Sequence, residues 1–313
     1  MVEPHTLDTP VPEEARGSSS CGTCSDESCS AKTQQTHESR KEFEDRQRLQ
    51  RRLCAIEHKV IVMSGKGGVG KSTVAVNLAS ALVQKGQRVG LLDVDIHGPT
   101  VPTMLQLVDT IAESQGNELR PVEMGGLKVM SIGFLLGDPT EAVIWRGPRK
   151  AGLIKSFLQD VEWGELDYLI VDAPPGTGDE PLSVCQLIDG ADGAVIVTTP
   201  QEVALTAVRK SVNFCGKMDM PVLGVVENMS GFACPHCGEV TDIFQAGGGE
   251  KMALAMNVPF LGRIPIDAKV GASGDEGLPF VDAGASGGVA RAFEPIVGPI
   301  LALSEIQDGT AKD

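Results

Sequence analysis

The chain has few basic side chains, few aromatic rings and no long apolar run. It carries 27 Lys and Arg against 42 Asp and Glu, which gives a net charge of −15, and only 4% of its residues are aromatic. Proteins that bind DNA or RNA neutralise phosphates with basic residues and stack bases on aromatic rings, so we expect no nucleic-acid partner. No apolar run approaches the roughly 18 residues of a membrane span, so we expect no membrane partner either.

The N-terminal segment 1–20 is acidic and rich in Pro and Ser. Secretory signals and transit peptides have basic or apolar character, so this segment favours a cytoplasmic protein. The sequence contains eight cysteines. Cysteines in a reducing compartment seldom form disulfides, and closely spaced pairs indicate metal or redox chemistry instead.

Composition divides the chain near residue 54. Residues 1–54 are predicted to form a disordered tail to about residue 37, because Ser, Thr, Glu and Pro cannot build a core. A charged, solvent-exposed helix is predicted at 38–53. Residues 55–313 are predicted to form one globular domain, which is long enough to bury a single large core.

Buried strands alternate with amphipathic helices along this domain. Continuous apolar runs predict strands at 59–64, 88–95, 166–172, 193–199 and 221–228. Apolar residues at helical spacing predict helices at 71–85, 148–160, 179–190, 202–217, 249–256 and 288–304. This alternation predicts an α/β fold with a doubly wound, mostly parallel sheet and helices on both faces.

A glycine-rich loop follows the first predicted strand and has the spacing of a Walker A P-loop. Glycines let backbone N–H groups face a phosphate, and the helix N-terminus adds partial positive charge. Lys71 is predicted to reach the β- and γ-phosphates and Ser72 to bind Mg²⁺. The sequence thus predicts an ATP and Mg²⁺ site at Gly65, Lys66, Gly67, Gly68, Val69, Gly70, Lys71, Ser72 and Thr73.

Three aspartates are predicted to complete this site. Asp93 and Asp95 lie at the end of the second predicted strand, where carboxylates reach Mg²⁺ or orient an attacking water. Asp172 ends the strand YLIVD and opens DAPPGTGD, a pattern typical of a Walker B aspartate that holds Mg²⁺ through water. Gly176 and Gly178 in that segment are predicted to allow the loop to move when the γ-phosphate leaves.

Cys234-Pro235-His236-Cys237-Gly238 is a second candidate site. Two thiolates at this spacing chelate one metal, but a closed zinc site or a [4Fe–4S] cluster takes about four ligands. A dimer in which each subunit supplies Cys234 and Cys237 meets that requirement. Half a zinc ribbon, a redox-active pair and inert cysteines stay open as alternatives. A redox pair is disfavoured because the motif is predicted to follow a long loop rather than to open a helix.

The predicted tail holds a further group of thiols at Cys21, Cys24 and Cys29. They form an accessory cluster or metal site only if a fourth ligand comes from Cys54 or from a partner protein. The alternative is three redox-exposed cysteines with no fixed partner. Cys185 and Cys215 fall in predicted helices and are expected to be core residues.

Several motifs occur in order over residues 55–303: SGKGGVGKST, LLDVDIHGPT, WRGP, DAPPGTGD, VENMSGF, CPHC and GRIPID. Together they resemble the Mrp/ApbC-type iron–sulfur cluster carrier ATPases of the deviant Walker A (MinD/ParA) superfamily. The resemblance implies a homodimer that bridges a labile [4Fe–4S] cluster through Cys234 and Cys237. It also implies slow ATP hydrolysis and transfer of the cluster to apo iron–sulfur proteins, with an assembly scaffold as a further partner.

The same resemblance assigns roles to single residues. It implies that Lys66 contacts the nucleotide of the opposite subunit and that Asp95 positions the attacking water. Asn228 matches the adenine-contacting position of the superfamily, and Pro265 and Asp267 complete that pocket. Some eukaryotic members carry four N-terminal cysteines, whereas this tail has three.

Two competing functions follow from the wider superfamily. One is a MinD/ParA-like positioning ATPase with a structural zinc knuckle, but the chain ends in the polar segment SEIQDGTAKD instead of a basic amphipathic helix. The other is a nitrogenase-like reductase, whose cluster cysteines are single and widely separated, unlike CPHC. The carrier reading is therefore preferred.

Overall fold

The computed structural model describes residues 33–96, 98–116, 118–136, 147–188, 190–234, 237, 239–267, 270, 277, 279 and 288–310. The first half contains α1 (Arg40–Cys54), β1 (Ile56–Ser64), α2 (Lys71–Gln84), β2 (Val89–Asp93), α3 (Val101–Met104), β3 (Ser114–Gln115), β4 (Glu118–Leu119), β5 (Val122–Met124), β6 (Leu127–Ser131) and a 3-10 helix (Ile132–Leu135). The second half contains α4 (Gly147–Gln159), β7 (Leu166–Asp172), α5 (Asp179–Leu187), β8 (Gly193–Thr198), α6 (Glu202–Lys217), β9 (Val222–Ala233), β10 (Val240–Thr241), α7 (Gly248–Ala255), β11 (Phe260–Ile266) and α8 (Gly288–Thr310).

Within these residues one nine-stranded sheet forms the centre of the molecule. Its order is β10-β9-β8-β1-β7-β2-β6-β5, and β11 pairs with β9. The strands β11, β9, β8, β1, β7, β2 and β6 run parallel, and β5 and β10 are antiparallel. The predicted doubly wound, mostly parallel α/β fold with helices on both faces is confirmed.

The central strands are mostly apolar because helices cover both faces of the sheet. Residues Val60 to Met63 of β1 have no solvent exposure. Helices α2 and α8 pack against each other, and α6 packs against both β8 and α7. This layering places the loops that follow β1, β2 and β7 at one edge of the sheet.

Several features differ from the sequence predictions, among them β6, α1 and β2. Strand β6 was not predicted, although it pairs with β2 over its full length; its five residues are too short for a periodic signal. Helix α1 is not wholly solvent-exposed, because Leu53 is 2% exposed and Arg52 forms an ion pair with Glu118. Strand β2 ends at Asp93, so Asp95 lies in the following loop.

Among the described residues, none of the helices has both the length and the hydropathy needed to span a bilayer. The last helix, α8, contains Pro295 and Pro299 and packs on β11 and α2.

Candidate functional site

The candidate nucleotide site lies where β1, β2 and β7 end. Asp93 and Asp172 are direct neighbours in the β2–β7 pairing, and Val62 of β1 pairs with Asp172. The carboxyl ends of parallel strands meet at one sheet edge, which is where ligands bind in doubly wound folds. The sheet thus brings the predicted aspartates to the loop that follows β1.

That loop makes two contacts that only glycine permits. Gly70 adopts φ +82° at the N-cap of α2, and a Cβ there would lie 2.1 Å from Nδ2 of Asn228. At Gly65 a Cβ would lie 2.4 Å from the backbone carbon of Ala207 in α6. Asn228 Nδ2 donates a hydrogen bond to the Val69 carbonyl at 2.9 Å. The two ends of the loop are therefore held against α6 and β9, whereas Gly67 and Gly68 face open space.

A cavity of about 410 Å³ opens beside the loop. Its lining combines residues of the glycine-rich loop, the segment after β2 and the segment after β7: Ser64, Gly67, Gly68, Gly70, Lys71, Ser72, Thr73, Asp95, Gly98, Thr100, Thr103, Met104 and Pro175. Thr103 and Met104 were not predicted, because they lie outside every motif.

Lys71 is the cation at the centre of this cavity. Only 6% of it is exposed, and its Nζ donates to Asp172 Oδ1 at 2.5 Å and to Ser72 Oγ at 3.3 Å. Its Nζ lies 4.0 Å from Asp95 Oδ2. The second carboxylate oxygen of Asp172 is buried and has no hydrogen-bond partner among the described residues. Asp172, with its orphaned buried oxygen, and the Ser72 hydroxyl both accept from Lys71, and this pair of oxygen donors fits a hydrated Mg²⁺.

The two aspartates after β2 differ in environment. Burial, and after it the neighbouring Asp172 carboxylate, raise the pKa of Asp93 above its usual range. Burial also raises the pKa of Asp95, against the opposing effect of the Lys71 ammonium. Asp95 lines the cavity, and its raised pKa makes it a stronger base than a free carboxylate.

The other predicted nucleotide residues lie around this centre. Lys66 is half-buried at the start of the loop. Asn228 pairs with Ile264 across β9 and β11, Pro265 is the residue after Ile264, and Asp267 follows the end of β11. Of these residues, Asn228 is the one whose hydrogen bond to the P-loop the structure describes.

The cysteine pair lies at the turn of a hairpin formed by β9 and β10. Val240 pairs with Ala233, and Cys234 N–H donates to the Glu239 carbonyl at 2.9 Å. Cys234 is half-buried, and Cys237 is exposed. The prediction that the motif follows a long loop is wrong, because β9 continues without interruption to Ala233. Among the described residues no group of three or more His, Cys, Asp or Glu is placed to hold a metal ion.

The P-loop, its aspartates and the cysteine hairpin together match a known family of proteins. A family model described as ParA, NUBPL iron-transfer P-loop NTPase, matches residues 55–301. The chain belongs to this NTPase family. The resemblance inferred from the motifs is therefore confirmed.

Curated relatives of this NTPase carry related names. A protein of Methanocaldococcus jannaschii named iron-sulfur cluster carrier protein is 52% identical over 235 residues, which are 75% of this chain and 81% of the relative. A carrier protein of the same name from Methanococcus maripaludis is 45% identical and covers 92% of this chain and 97% of its own. The cytosolic Fe-S cluster assembly factor NUBP2 homolog of Monosiga brevicollis is 48% identical over 84% of this chain and 94% of its own.

Solved structures agree with the NTPase fold. The nucleotide-binding protein of Archaeoglobus fulgidus, whose structure was solved in complex with ADP and with cobalt, is 42% identical to this chain. It has a TM-score of 0.67 and covers 75% of this chain and 92% of its own. The cell division ATPase MinD of Pyrococcus furiosus has a TM-score of 0.57 at 23% identity, covering 79% and 99% of the two chains, and shows the fold alone.

Some sequence predictions lie outside the described residues. They concern Cys21, Cys24, Cys29, His97, Trp145, Arg146, Pro235, His236 and Gly238. Of the two predicted core cysteines, Cys215 is fully buried and Cys185 is half-buried. Cys54, proposed as a distant fourth ligand of the tail, is exposed at the end of α1.

Glu227 is a buried residue of the NTPase to which the sequence motifs assigned no role. Its carboxylate accepts hydrogen bonds from the Gly247 and Gly249 N–H groups and from the Ser230 hydroxyl. It has no solvent exposure. A single carboxylate therefore ties β9, directly before Asn228, to the segment that leads into α7. An acidic residue inside an apolar strand is the signal that identifies such a buried anchor.

We expect Glu227→Ala to lower the free energy of unfolding by about 3 kcal/mol, because two buried N–H groups lose their acceptor. Urea unfolding measures the effect. Glu250→Ala is the matched control, since Glu250 is an exposed acid on α7 that pairs with Arg263, as Glu227 also does. We expect that control to stay within about 0.5 kcal/mol of wild type. Equal stability of the two variants contradicts the anchoring role.

Proposed function

We propose that this NTPase hydrolyses ATP and carries a [4Fe–4S] cluster, which it binds at a homodimer interface and transfers to apo iron–sulfur proteins. The observation that carries the proposal is the cysteine pair at the hairpin turn, with Cys237 exposed and Cys234 half-buried. Two thiols supply half of the ligands that a [4Fe–4S] cluster takes. Two copies of the chain supply all four, and several relatives are named cluster carriers or assembly factors.

The nucleotide chemistry follows from the cavity. Lys71 exchanges its Asp172 partner for the β- and γ-phosphates of ATP, and the loop N–H groups surround the β-phosphate. Ser72 and the free oxygen of Asp172 would hold Mg²⁺, which neutralises phosphate charge when bound. Asp95 orients the attacking water and accepts its proton. ATP hydrolysis is proposed to be slow, because its function is to control when the cluster is loaded or released.

In the proposed dimer, further residues contact the nucleotide. Lys66 makes no hydrogen bond or ion pair within the part of the chain that the structure describes, and it is half-buried at the loop's start. We assign it to the nucleotide of the opposite subunit. Asn228, Pro265 and Asp267 form the adenine pocket. Nucleotide and cluster then share one two-fold assembly.

The cluster is the cargo of this protein, so the two cysteine pairs that bind it must also release it. An exposed ligand such as Cys237 allows an acceptor thiol to reach the iron. The partners are thus apo-proteins that receive the cluster and a scaffold that supplies it. The relatives named cytosolic assembly factors support a cytoplasmic location.

The test is anaerobic reconstitution followed by transfer. We expect a brown dimer with about four iron and four sulfide, which activates an apo-enzyme that depends on a [4Fe–4S] cluster. Free iron and sulfide at the same concentration serve as the control and should activate the apo-enzyme more slowly. A colourless protein that retains zinc contradicts the proposal and indicates a positioning ATPase with a structural zinc knuckle.

A further inference from the structure

Asp93 has an arrangement that differs from that of a magnesium ligand. Its Oδ1 accepts a hydrogen bond from Asp95 N–H at 3.1 Å. Its Oδ2 accepts from the Ser131 hydroxyl at 3.1 Å and from Val101 N–H at 3.4 Å. The side chain has no solvent exposure. Both oxygens are therefore engaged by the protein itself.

These bonds enclose the segment between β2 and α3. Asp95 is the second residue of that segment, and Val101 is the first residue of α3. The N-cap residue of α3, Thr100, makes no side-chain capping bond, so Asp93 supplies the acceptor for the first N–H of this helix. One carboxylate thus fixes both ends of the segment.

The same segment forms one wall of the nucleotide cavity. Asp95, Gly98, Thr100, Thr103 and Met104 line the cavity. Asp93 is not among the lining residues that the structure describes, and lies behind this wall. The Ser131 hydroxyl holds it from β6, the strand paired with β2. The backbone groups that Asp93 holds, Asp95 N–H and Val101 N–H, lie at the two ends of this wall and outside the P-loop.

We propose that Asp93 is a positioning residue for ATP hydrolysis, which sets the location of Asp95 relative to the nucleotide by holding the backbone at both ends of the loop. This inference rests on the proposed ATPase function. It assigns Asp93 neither to Mg²⁺ nor to the attacking water, the two roles that the sequence suggested. A misplacement of about 1 Å at a reacting group costs up to 100-fold in rate, which sets the scale of the effect.

The test is a double-mutant cycle with ATP turnover as the readout. Asp93→Asn keeps the size of the side chain but replaces one acceptor oxygen by a donor amide. We expect it to lower kcat about 10-fold with less than a 3-fold change in KM for ATP, because the P-loop is untouched. In an Asp95→Asn background the same change should lower kcat less than 2-fold, because Asp93 acts through Asp95.

A second variant covers the case in which Asp93→Asn fails to fold. Ser131→Ala removes one bond to Asp93, leaves the carboxylate in place and should lower kcat about 3-fold at unchanged affinity for ADP. An unchanged kcat in an active, folded Asp93→Asn protein, or a full 10-fold effect in the Asp95→Asn background, overturns the positioning role alone. Wild-type protein that turns over no ATP overturns the proposed ATPase function and this role with it.

Discussion

Lys71→Ala is expected to lower the rate of ATP hydrolysis at least about a thousand-fold. Lys71 is the cation nearest the buried carboxylate of Asp172 and lies at the N-terminus of α2, where the phosphates bind. Loss of its charge removes the stabilisation of the transferred phosphoryl group. Steady-state phosphate release at saturating ATP measures the effect, and iron content after reconstitution should stay close to that of wild type.

The control for this variant is Lys85→Ala. Lys85 is an exposed lysine at the other end of α2, and its loss should leave turnover unchanged. Lys71→Ala also leaves the Asp172 carboxylate buried without its partner, which destabilises the fold. Lys71→Gln retains a donor to Asp172 and separates stability from catalysis. Normal turnover in folded Lys71→Gln protein contradicts the assignment of Lys71 to the phosphates.

The position of the P-loop between a strand and a helix could be predicted from the sequence because its residues are contiguous. A strand, four intervening residues and Gly-Lys-Ser specify the local backbone, and the structure places the loop between β1 and α2. The aspartates were predicted for a related reason. The carboxyl ends of neighbouring parallel strands always meet, so Asp93 and Asp172 had to be close once the strands were identified.

The contacts of Asp93 and Glu227 could not be predicted in the same way. Ser131 lies 38 residues beyond Asp93, and Gly247 lies 20 residues beyond Glu227. Which strand or helix supplies the partner of a buried carboxylate depends on sheet order, and a single sequence carries no direct signal for it. From the sequence one could expect only that a buried acid has hydrogen-bond partners, and not which residues they are.

The course of β9 is the main error of the sequence reading, and it bears on the cysteine site. The predicted strand ended at Asn228 because Asn, Ser and Gly interrupt the apolar run. In the structure the strand continues past Met229, at φ +56°, and Gly231, at φ +78°. An irregularity in the pairing with β11 absorbs these residues. Asn228, which contacts the P-loop, thus lies on the strand that leads directly to Cys234, the residue after its last position.

Cys234→Ala/Cys237→Ala is expected to abolish cluster binding, from about four iron per dimer to none, while ADP binding stays at the wild-type level. The hairpin turn is held by backbone pairing of Ala233 with Val240, so loss of the thiols should not unfold it. Iron and sulfide analysis and the absorption band at about 400 nm measure the loss of the cluster. Cys54→Ala, which removes an exposed thiol at the end of α1, is the matched control and should retain the full iron content.

The single variants sharpen this prediction. In a bridged dimer, Cys234→Ala removes two of four ligands at once, because each subunit contributes one copy. The cluster should then be lost as completely as in the double variant, whereas a site within one chain would lose a single ligand and hold iron more firmly. Cys21→Ala should leave the bridging cluster in place. Unchanged iron in Cys234→Ala/Cys237→Ala, or loss of all iron in Cys21→Ala, would place the main cluster on the N-terminal cysteines.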